Sequence, residues 1–363
     1  MPLGRLDVSN VRNISRAGLE LGPRATLLYG DNGSGKTSLL EAVYFLGSGR
    51  TFRSQSADPL IQRDAESVTV FGEFVDDAGR RYRLGVSRGR DGSREVRING
   101  ETVQRTSDIA RLLPILVLGP QTVDLVMAGP SLRRRFLNWG VFHVEHSFGE
   151  LWEQYSRALR QRNQLLKSHA ASMREIQIWS ESLSDLAERV DAHRSAYIAR
   201  FQQHFTKVST TLMGENSLDS RYYRGWESGR PLSDVLAEQE ASDRRRGFTQ
   251  SGPHRADIRL RVAGQNAANV CSRGELKALA WSMVLAQGAC FQQDRDATLI
   301  YLVDDLSAEL DQEHRQRVRD LLDVPGIQVL VTGIDRSQLD LGWTDPKLFH
   351  VEHGQFHEME MRL

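Results

Sequence analysis

The sequence predicts a mixed α/β fold in which one strand-rich domain is interrupted by a helical insertion. Short apolar runs typical of strands fill the first third of the chain and return in its last third. Between them, apolar residues keep the three-and-four spacing of helices over long stretches. A glycine-rich loop also joins a strand to a helix near residue 30. We therefore predict an α/β domain built from residues 1–120 and 250–363, with residues 121–249 forming an inserted, mostly helical lobe.

Composition limits the class of protein. A chain of 363 residues has room for two to three domains, or for one domain with an insertion. Its 47 Lys and Arg balance 47 Asp and Glu, which excludes a uniformly basic nucleic-acid coat but not a local basic patch. Two cysteines suit a reducing compartment, and no run reaches the roughly 18 to 20 apolar residues of a membrane span. We expect a cytoplasmic protein without a membrane partner.

Strand patterns justify the two outer segments. The N-terminal segment combines apolar runs with turn signals, the clearest being a hairpin about residues 76–79 and a turn at Asn99-Gly100. We expect strands at residues 25–29, 68–75, 81–86 and 114–118, and again at 256–262, 298–303, 327–332 and 348–351.

Helical spacing justifies the middle segment. Apolar residues recur every three or four positions over 148–166 and again over 179–208, with a short polar break at 167–173. Two amphipathic helices separated by so short a break most simply fold back as an antiparallel pair. Whether they pack as two ordinary helices or project as an arm remains open.

The glycine-rich loop matches a phosphate-binding pattern. Residues 30–37 read G-D-N-G-S-G-K-T, which fits G-x-x-x-x-G-K-[ST] between a strand and a helix. Glycines let successive backbone amides surround an anion, and the helix N-terminus adds its partial positive charge. Lys36 is expected to reach the β- and γ-phosphates of ATP, and Thr37 to hold Mg²⁺. The residues predicted to bind ATP are Gly30, Asp31, Asn32, Gly33, Ser34, Gly35, Lys36, Thr37 and Ser38.

Two consecutive acids complete the predicted nucleotide site. Asp304 and Asp305 follow the strongly apolar run 299–303, and the carboxyl ends of such strands are where open α/β sheets bind ligands. We predict that Asp304 supports Mg²⁺ and that Asp305 orients the attacking water. A solvated acidic turn would show the same two residues.

A serine precedes a long helix-forming segment about thirty residues before these acids. Ser272 is an N-cap type of residue and Glu275 follows three positions later, so a capping box explains the pair without any function. A serine and its backbone amides at a helix N-terminus can equally bind an anion. Both interpretations stay open.

Together these patterns resemble the ATP-binding-cassette superfamily and, within it, the RecF family of bacterial recombination and repair proteins. The stretches that carry the resemblance are residues 30–38, 132–138, 247–255, 272–277 and 303–311. The resemblance covers essentially the whole chain. It implies an ABC-type P-loop ATPase head like that of SMC proteins, with room for only a short antiparallel helical arm.

The resemblance also implies site residues and a mechanism. Two ATP molecules would lie between two subunits in a head-to-tail dimer, with Ser272 touching the γ-phosphate of ATP on the partner. Hydrolysis would release the dimer. The residues implied in catalysis are Lys36, Ser272, Asp304 and Asp305. Further nucleotide contacts are implied for Arg12, Asn13, Gln121 and Gly274, with Gln121 joining Thr37 and Asp304 around Mg²⁺.

Departures from the superfamily pattern predict slow hydrolysis. The second acid is Asp305 where transporters usually have glutamate, and Glu275 stands where glutamine is common. No histidine follows the strand at residues 331–333.

Two arginine clusters are candidates for DNA contact. They are Arg133, Arg134 and Arg135, and Arg244, Arg245 and Arg246. Such clusters can neutralise phosphates without reading sequence. Charge runs are nevertheless more often solvated surface or internal ion pairs.

The function implied by the resemblance is ATP-dependent DNA binding in recombinational repair. The ATP-induced homodimer would bind double-stranded DNA and gapped or single-strand/double-strand junctions, work with RecR and RecO to assist RecA loading, and hydrolyse ATP slowly with stimulation by DNA. Two other functions remain open: a P-loop kinase for a small molecule, and a non-catalytic scaffold gated by ATP.

Overall fold

The computed structural model describes residues 2–54, 56–75, 79–103, 106–168, 172–215, 218–295 and 297–360. The strands, in chain order, are β1 (Leu3–Val11), β2 (Ile14–Glu20), β3 (Ala25–Tyr29), β4 (Ser67–Val75), β5 (Arg81–Gly89), β6 (Arg94–Ile98), β7 (Glu101–Thr102), β8 (Ile115–Leu118), β9 (Leu218–Tyr223), β10 (Asp257–Val262), β11 (Gln265–Asn266), β12 (Leu299–Val303), β13 (Ile327–Gly333), β14 (Pro346–Glu352) and β15 (Gln355–Met359).

The helices account for most of the central segment. In chain order they are α1 (Lys36–Ser48), α2 (Thr106–Leu112), α3 (Asp124–Met127), α4 (Pro130–Val144), α5 (Phe148–Lys167), α6 (Met173–Met213), α7 (Leu232–Arg246), α8 (Ala267–Val270), α9 (Arg273–Asp294), α10 (Leu306–Glu309), α11 (Gln312–Leu322) and α12 (Arg336–Leu339).

The chain forms two compact units. Residues 1–122 and 292–363 make the first, and residues 123–291 make the second. The predicted mixed α/β class with a helical insert is confirmed. The second unit continues to Phe291, whereas we expected the first domain to resume at about residue 250. The reason is local pairing: β10 pairs antiparallel with β9 over six residue pairs, which ties residues 257–262 to the second unit.

The first unit contains two six-stranded sheets. One is antiparallel, in the order β2-β1-β4-β5-β6-β7, and the other has the order β15-β14-β3-β13-β12-β8. Buried apolar residues of both sheets and of α1 form one core. Helix α1 is apolar on almost every side and accordingly buried, and it ends where Gly49 takes the left-handed conformation (φ 63°).

Parallel pairing in the second of these sheets positions the site. β3, β8, β12 and β13 run in the same direction in register. Their carboxyl ends therefore lie at one edge, so the loops that follow them meet there. The predicted strands at 25–29, 114–118, 298–303 and 327–332 are the ones that build this edge.

The second unit is built on the predicted helix pair. Phe148 contacts His193 and Arg162 contacts Ser180, so α5 runs antiparallel to the first half of α6. Helix α6 begins with a capping box, in which Ser172 and Glu175 exchange hydrogen bonds. The predicted turn at 76–79 and the break at 167–173 each include residues outside those described (76–78 and 169–171).

Candidate nucleotide site

The glycine-rich loop is built on conformations and spaces that only glycine supplies. Gly30 and Gly35 have φ values of 149° and 123°. A Cβ on Gly30 would lie 2.2 Å from the carbonyl oxygen of Val351. Asp31, Asn32 and Gly33 form an exposed crest, while the residues from Ser34 into the first turn of α1 are mostly buried. The loop therefore has the tight turn that a phosphate cradle needs.

The ammonium of Lys36 points back along the loop. Lys36 Nζ donates to the carbonyl oxygens of Gly30 (2.6 Å) and Asp31 (2.8 Å). Burial lowers the pKa of Lys36, while the negative charges of Asp305, Asp304 and Asp31 oppose that shift. A cation held among carboxylates at the start of a helix can exchange these carbonyl contacts for phosphate oxygens.

Asp304 is held by two hydroxyls. Thr37 Oγ1 donates to Asp304 Oδ1 (2.7 Å), and Thr332 Oγ1 donates to the same oxygen (3.1 Å). Burial raises the pKa of Asp304, and the bonds from Thr37 and Thr332 and the charge of Arg53 act in the opposite direction. The loop after β3 and the strand end of β12 thus meet as the sequence predicts.

Asp305 adopts a left-handed backbone, with φ 54° and ψ 55°. Its N–H donates to Thr332 Oγ1 (2.8 Å), so one hydroxyl fixes both acids. Asp and Asn adopt this conformation far more readily than longer side chains do. The backbone therefore gives a physical reason for aspartate, rather than glutamate, at the second acidic position.

Gln121 belongs to the same cluster. A Cβ on Gly119 would lie 3.1 Å from the Asp304 Cβ and 3.7 Å from Gln121 Oε1. Gln121 Nε2 is buried and has no hydrogen-bond partner among the described residues. Hydroxyl, carboxylate and amide oxygens from Thr37, Asp304 and Gln121 are the hard donors that Mg²⁺ prefers. The donor set fits that ion.

A second unsatisfied group lies in the loop itself. Ser34 Oγ is buried and has no hydrogen-bond partner among the described residues. Asn13 braces the loop from outside, because its Nδ2 donates to Gly33 O (3.0 Å) and its Oδ1 accepts from Ser38 Oγ (2.7 Å). A buried hydroxyl without a partner in a pre-shaped loop is consistent with a phosphate ligand.

Arg12 is engaged by α1 rather than presented to the loop. Its Nε and Nη2 donate to the two carboxylate oxygens of Glu41 (2.9 and 3.0 Å). Glu41 is fully buried and also accepts from Thr51 Oγ1. The predicted nucleotide contact of Arg12 therefore requires this bidentate pair to open, whereas a bracing role for Arg12 does not.

Two residues near Asp304 were missed by the sequence reasoning. Thr332 carries no motif of its own, although it stands in the 331–333 segment where a histidine was sought. Arg53 is exposed, and its charge lowers the pKa of Asp304, so its guanidinium acts on the site. Only the parallel register of β13 with β12 could have pointed to Thr332, and nothing in the sequence pointed to Arg53.

The Ser272 segment lies in the second unit and contains the capping box. Ser272 N donates to Glu275 Oε2 (2.7 Å), and Glu275 N donates to Ser272 Oγ (3.3 Å). These hydrogen bonds hold the pKa of Glu275 below its usual value. Residues 272–275, including Gly274, are exposed. Ser272 thus serves as a helix cap and is also accessible.

The first arginine cluster is largely used inside the second unit. Arg133 forms a bidentate pair with Asp257 (2.7 and 3.2 Å) and also donates to nearby carbonyl oxygens. Arg134 donates to Ala256 O (3.1 Å). Arg135 is exposed. Internal contacts therefore explain Arg133 and Arg134 without DNA.

The second cluster lines a groove. Arg244, Arg245 and Arg246 end α7, and with Lys167 they border a groove of about 350 Å³. Arg245, Arg246 and Lys167 are exposed. This groove is the stronger of the two predicted anion-binding surfaces.

Comparison with known proteins decides the family. The family model described as "RecF/RecN/SMC N terminal domain" matches residues 2–356. The "DNA replication and repair protein RecF" of Stutzerimonas stutzeri is 42% identical over 99% of this chain and 98% of its own. The chain belongs to the RecF family. A second RecF, from Azotobacter vinelandii, is also 42% identical, over 99% of this chain and all of its own.

Solved structures show the RecF fold. Two described as the "recombination mediator protein RecF", one as RecF-ATPrS and one as RecF-ATP, superpose with TM-scores of 0.85 and 0.89 at 23% identity. Each comparison covers 99% of this chain and 98% of the other. The Smc head domain of Pyrococcus furiosus follows with a TM-score of 0.60 at 16% identity, over 99% of this chain and 96% of its own. The predicted SMC-like head is confirmed. Among the described residues, no helix is long and apolar enough to cross a membrane.

Proposed function

We propose that this protein is an ATP-dependent DNA-binding ATPase of recombinational repair, and that ATP brings two copies together. One observation carries the nucleotide chemistry: Thr37 of the glycine-rich loop and Thr332 hold the carboxylate of Asp304 beside the Lys36 ammonium. Membership of the RecF family supports the ATPase and repair assignments, because relatives about 40% identical over the full chain are named as replication and repair proteins.

Each site residue has a distinct role in this proposal. Lys36 exchanges its carbonyl contacts for the β- and γ-phosphates of ATP, where its charge is complementary. Asp305 accepts a hydrogen bond from the attacking water and so orients it toward the γ-phosphorus. Thr37, Asp304 and Gln121 would hold Mg²⁺, which neutralises charge developing on the phosphates. Thr332 keeps the two carboxylates in place.

Dimerisation is assigned to the exposed Ser272 segment. The hydroxyl and the backbone N–H of Gly274 lie in the first turn of α9, where the helix dipole favours an anion. In the proposed head-to-tail pair this anion is the γ-phosphate of ATP on the partner. ADP lacks that phosphate, so hydrolysis weakens the pair and acts as a timer.

DNA contact is assigned to the exposed cations. Arg135, Arg245 and Arg246 remain candidates for phosphate contact, while the internal contacts of Arg133 and Arg134 remove the need for such a role. We propose gapped or junction DNA as the site of action, RecR and RecO as partners in assisting RecA, and the cytoplasm as the location. Slow hydrolysis stimulated by DNA is part of the same proposal.

Paired substitutions test the nucleotide-dependent dimer. Lys36→Ala should lose ATP binding, whereas Ser272→Arg should keep ATP binding and lose the ATP-induced dimer seen by light scattering. Ser172→Arg is the matched control, because Ser172 and Glu175 form the same exposed capping box on α6. A Ser272→Arg protein that still dimerises with ATP would contradict the cross-subunit contact.

A further inference from the structure

Two arginines face each other at one end of the antiparallel sheet in the first unit. Arg88 of β5 is paired directly with Arg94 of β6. Alternation along these strands places both on the face that carries the buried Val86 and Val96. Like charges directly opposite each other on paired strands are destabilising. A pair of this kind at the rim of a core calls for a compensating anion.

A third arginine approaches from α1. Arg50 follows Gly49, whose left-handed conformation ends the helix. Partial burial lowers the pKa of Arg94, and the positive charges of Arg50 and Arg88 lower it further. Three guanidinium groups from two strands and a helix terminus therefore act on one another at one place.

The acidic compensation printed by the contacts is weak. Arg88 Nη2 lies 3.5 Å from Asp58 Oδ1, and the Asp58 side chain is 57% exposed, so solvent screens the pair. Arg88 Nε is buried and has no hydrogen-bond partner among the described residues. One exposed carboxylate thus faces three cations, and one of these has a buried donor without an acceptor.

We propose that Arg50, Arg88 and Arg94 form a binding site for a backbone phosphate of DNA. A phosphodiester supplies two anionic oxygens that guanidinium groups can bind in a bidentate manner, and it relieves the repulsion among them. Contacts of this kind read no sequence, which suits a protein that acts on DNA of any sequence. The inference rests on the DNA binding proposed above and adds a surface in the first unit.

The salt dependence of DNA binding tests the site. Labelled duplex DNA is titrated by fluorescence anisotropy with ATP present, using wild type, Arg94→Gln and Arg50→Gln. The matched control is Arg97→Gln, which removes the same charge from the same strand on the opposite face, where Arg97 pairs with Glu95. Each lost phosphate contact should lower the slope of log K against log salt by about 0.9. Between about 50 and 200 mM salt, that is about 3.5-fold less loss of affinity per arginine.

The outcomes separate the site from the function. If Arg94→Gln and Arg50→Gln reduce the slope and Arg97→Gln does not, the site is supported. If wild type binds DNA and all three variants match it, the site is overturned and the proposed function stands. If wild type with ATP does not bind DNA, both are overturned. Thermal melts check folding, and the exposed Arg50→Gln decides the matter if Arg94→Gln fails to fold.

Discussion

The hydroxyl of Thr332 gives the most specific prediction about the site. It donates to Asp304 and accepts from the N–H of Asp305, so Thr332→Val removes both bonds while keeping the shape of the side chain. A hydrogen bond to a charged group contributes about 1.5 to 3 kcal/mol. If that amount is lost in the transition state, hydrolysis should slow by roughly 10- to 100-fold, since about 1.4 kcal/mol corresponds to tenfold.

The assay is steady-state ATP hydrolysis across pH. Thr332→Val should lower kcat while the Kd for ATP changes little, because the contacts of Lys36 stay intact. Without the Thr332 bond the pKa of Asp304 should rise further, so the acid limb of the rate profile should move to higher pH. Thr332→Ser keeps a hydroxyl and should restore most of the rate.

A buried threonine elsewhere in the same sheet provides the control. Thr26 of β3 is fully buried and accepts from Gly22 N–H (3.0 Å) at the opposite end of its strand from the site. Thr26→Val should cost similar stability without changing kcat. Equal loss of kcat in both valine variants, or no loss in Thr332→Val, would refute the positioning argument.

Three further predictions concern charge. Asp304→Asn should stop hydrolysis yet raise Tm at neutral pH: burial raises the folded-state pKa of Asp304, so its ionisation penalty is absent below the unfolded-state pKa and complete above the folded-state one, and the gain should shrink as pH falls through that range. Asp305→Asn should slow single-turnover hydrolysis by roughly 100-fold or more while keeping the ATP-induced dimer; an unchanged rate would instead favour the non-catalytic scaffold. Arg162→Met leaves the buried Asp243 without its ion pair and should cost about 3 to 5 kcal/mol in urea unfolding, whereas Arg189→Met at an exposed pair should cost under about 1 kcal/mol.

The strands and helices that carry strong periodicity were predictable from the sequence. The run 25–29 is the strand β3, and the patterns at 148–166 and 179–208 lie inside α5 and α6. The loop at 30–37 and the acid pair at 304–305 announce themselves because phosphate chemistry requires those residue types at a fixed spacing. Their meeting at one sheet edge follows from the parallel pairing of β3, β13 and β12.

Other features depend on long-range pairing that a local pattern does not contain. The extent of the second unit depends on β10 pairing with β9, and the role of Arg133 depends on Asp257, 124 positions away in sequence. Arg12 is held by a buried carboxylate on α1. An arginine that looks available for phosphate in a sequence can thus be committed to an internal partner.

Sedimentation of the wild-type protein tests the central claim most directly. Runs without nucleotide, with ADP and with ATP, each with and without gapped DNA, measure nucleotide-dependent association and its link to DNA together. The account predicts monomers without nucleotide and with ADP, dimers with ATP, and protein that sediments with DNA when ATP is present. A monomer with ATP that never associates with DNA would contradict it.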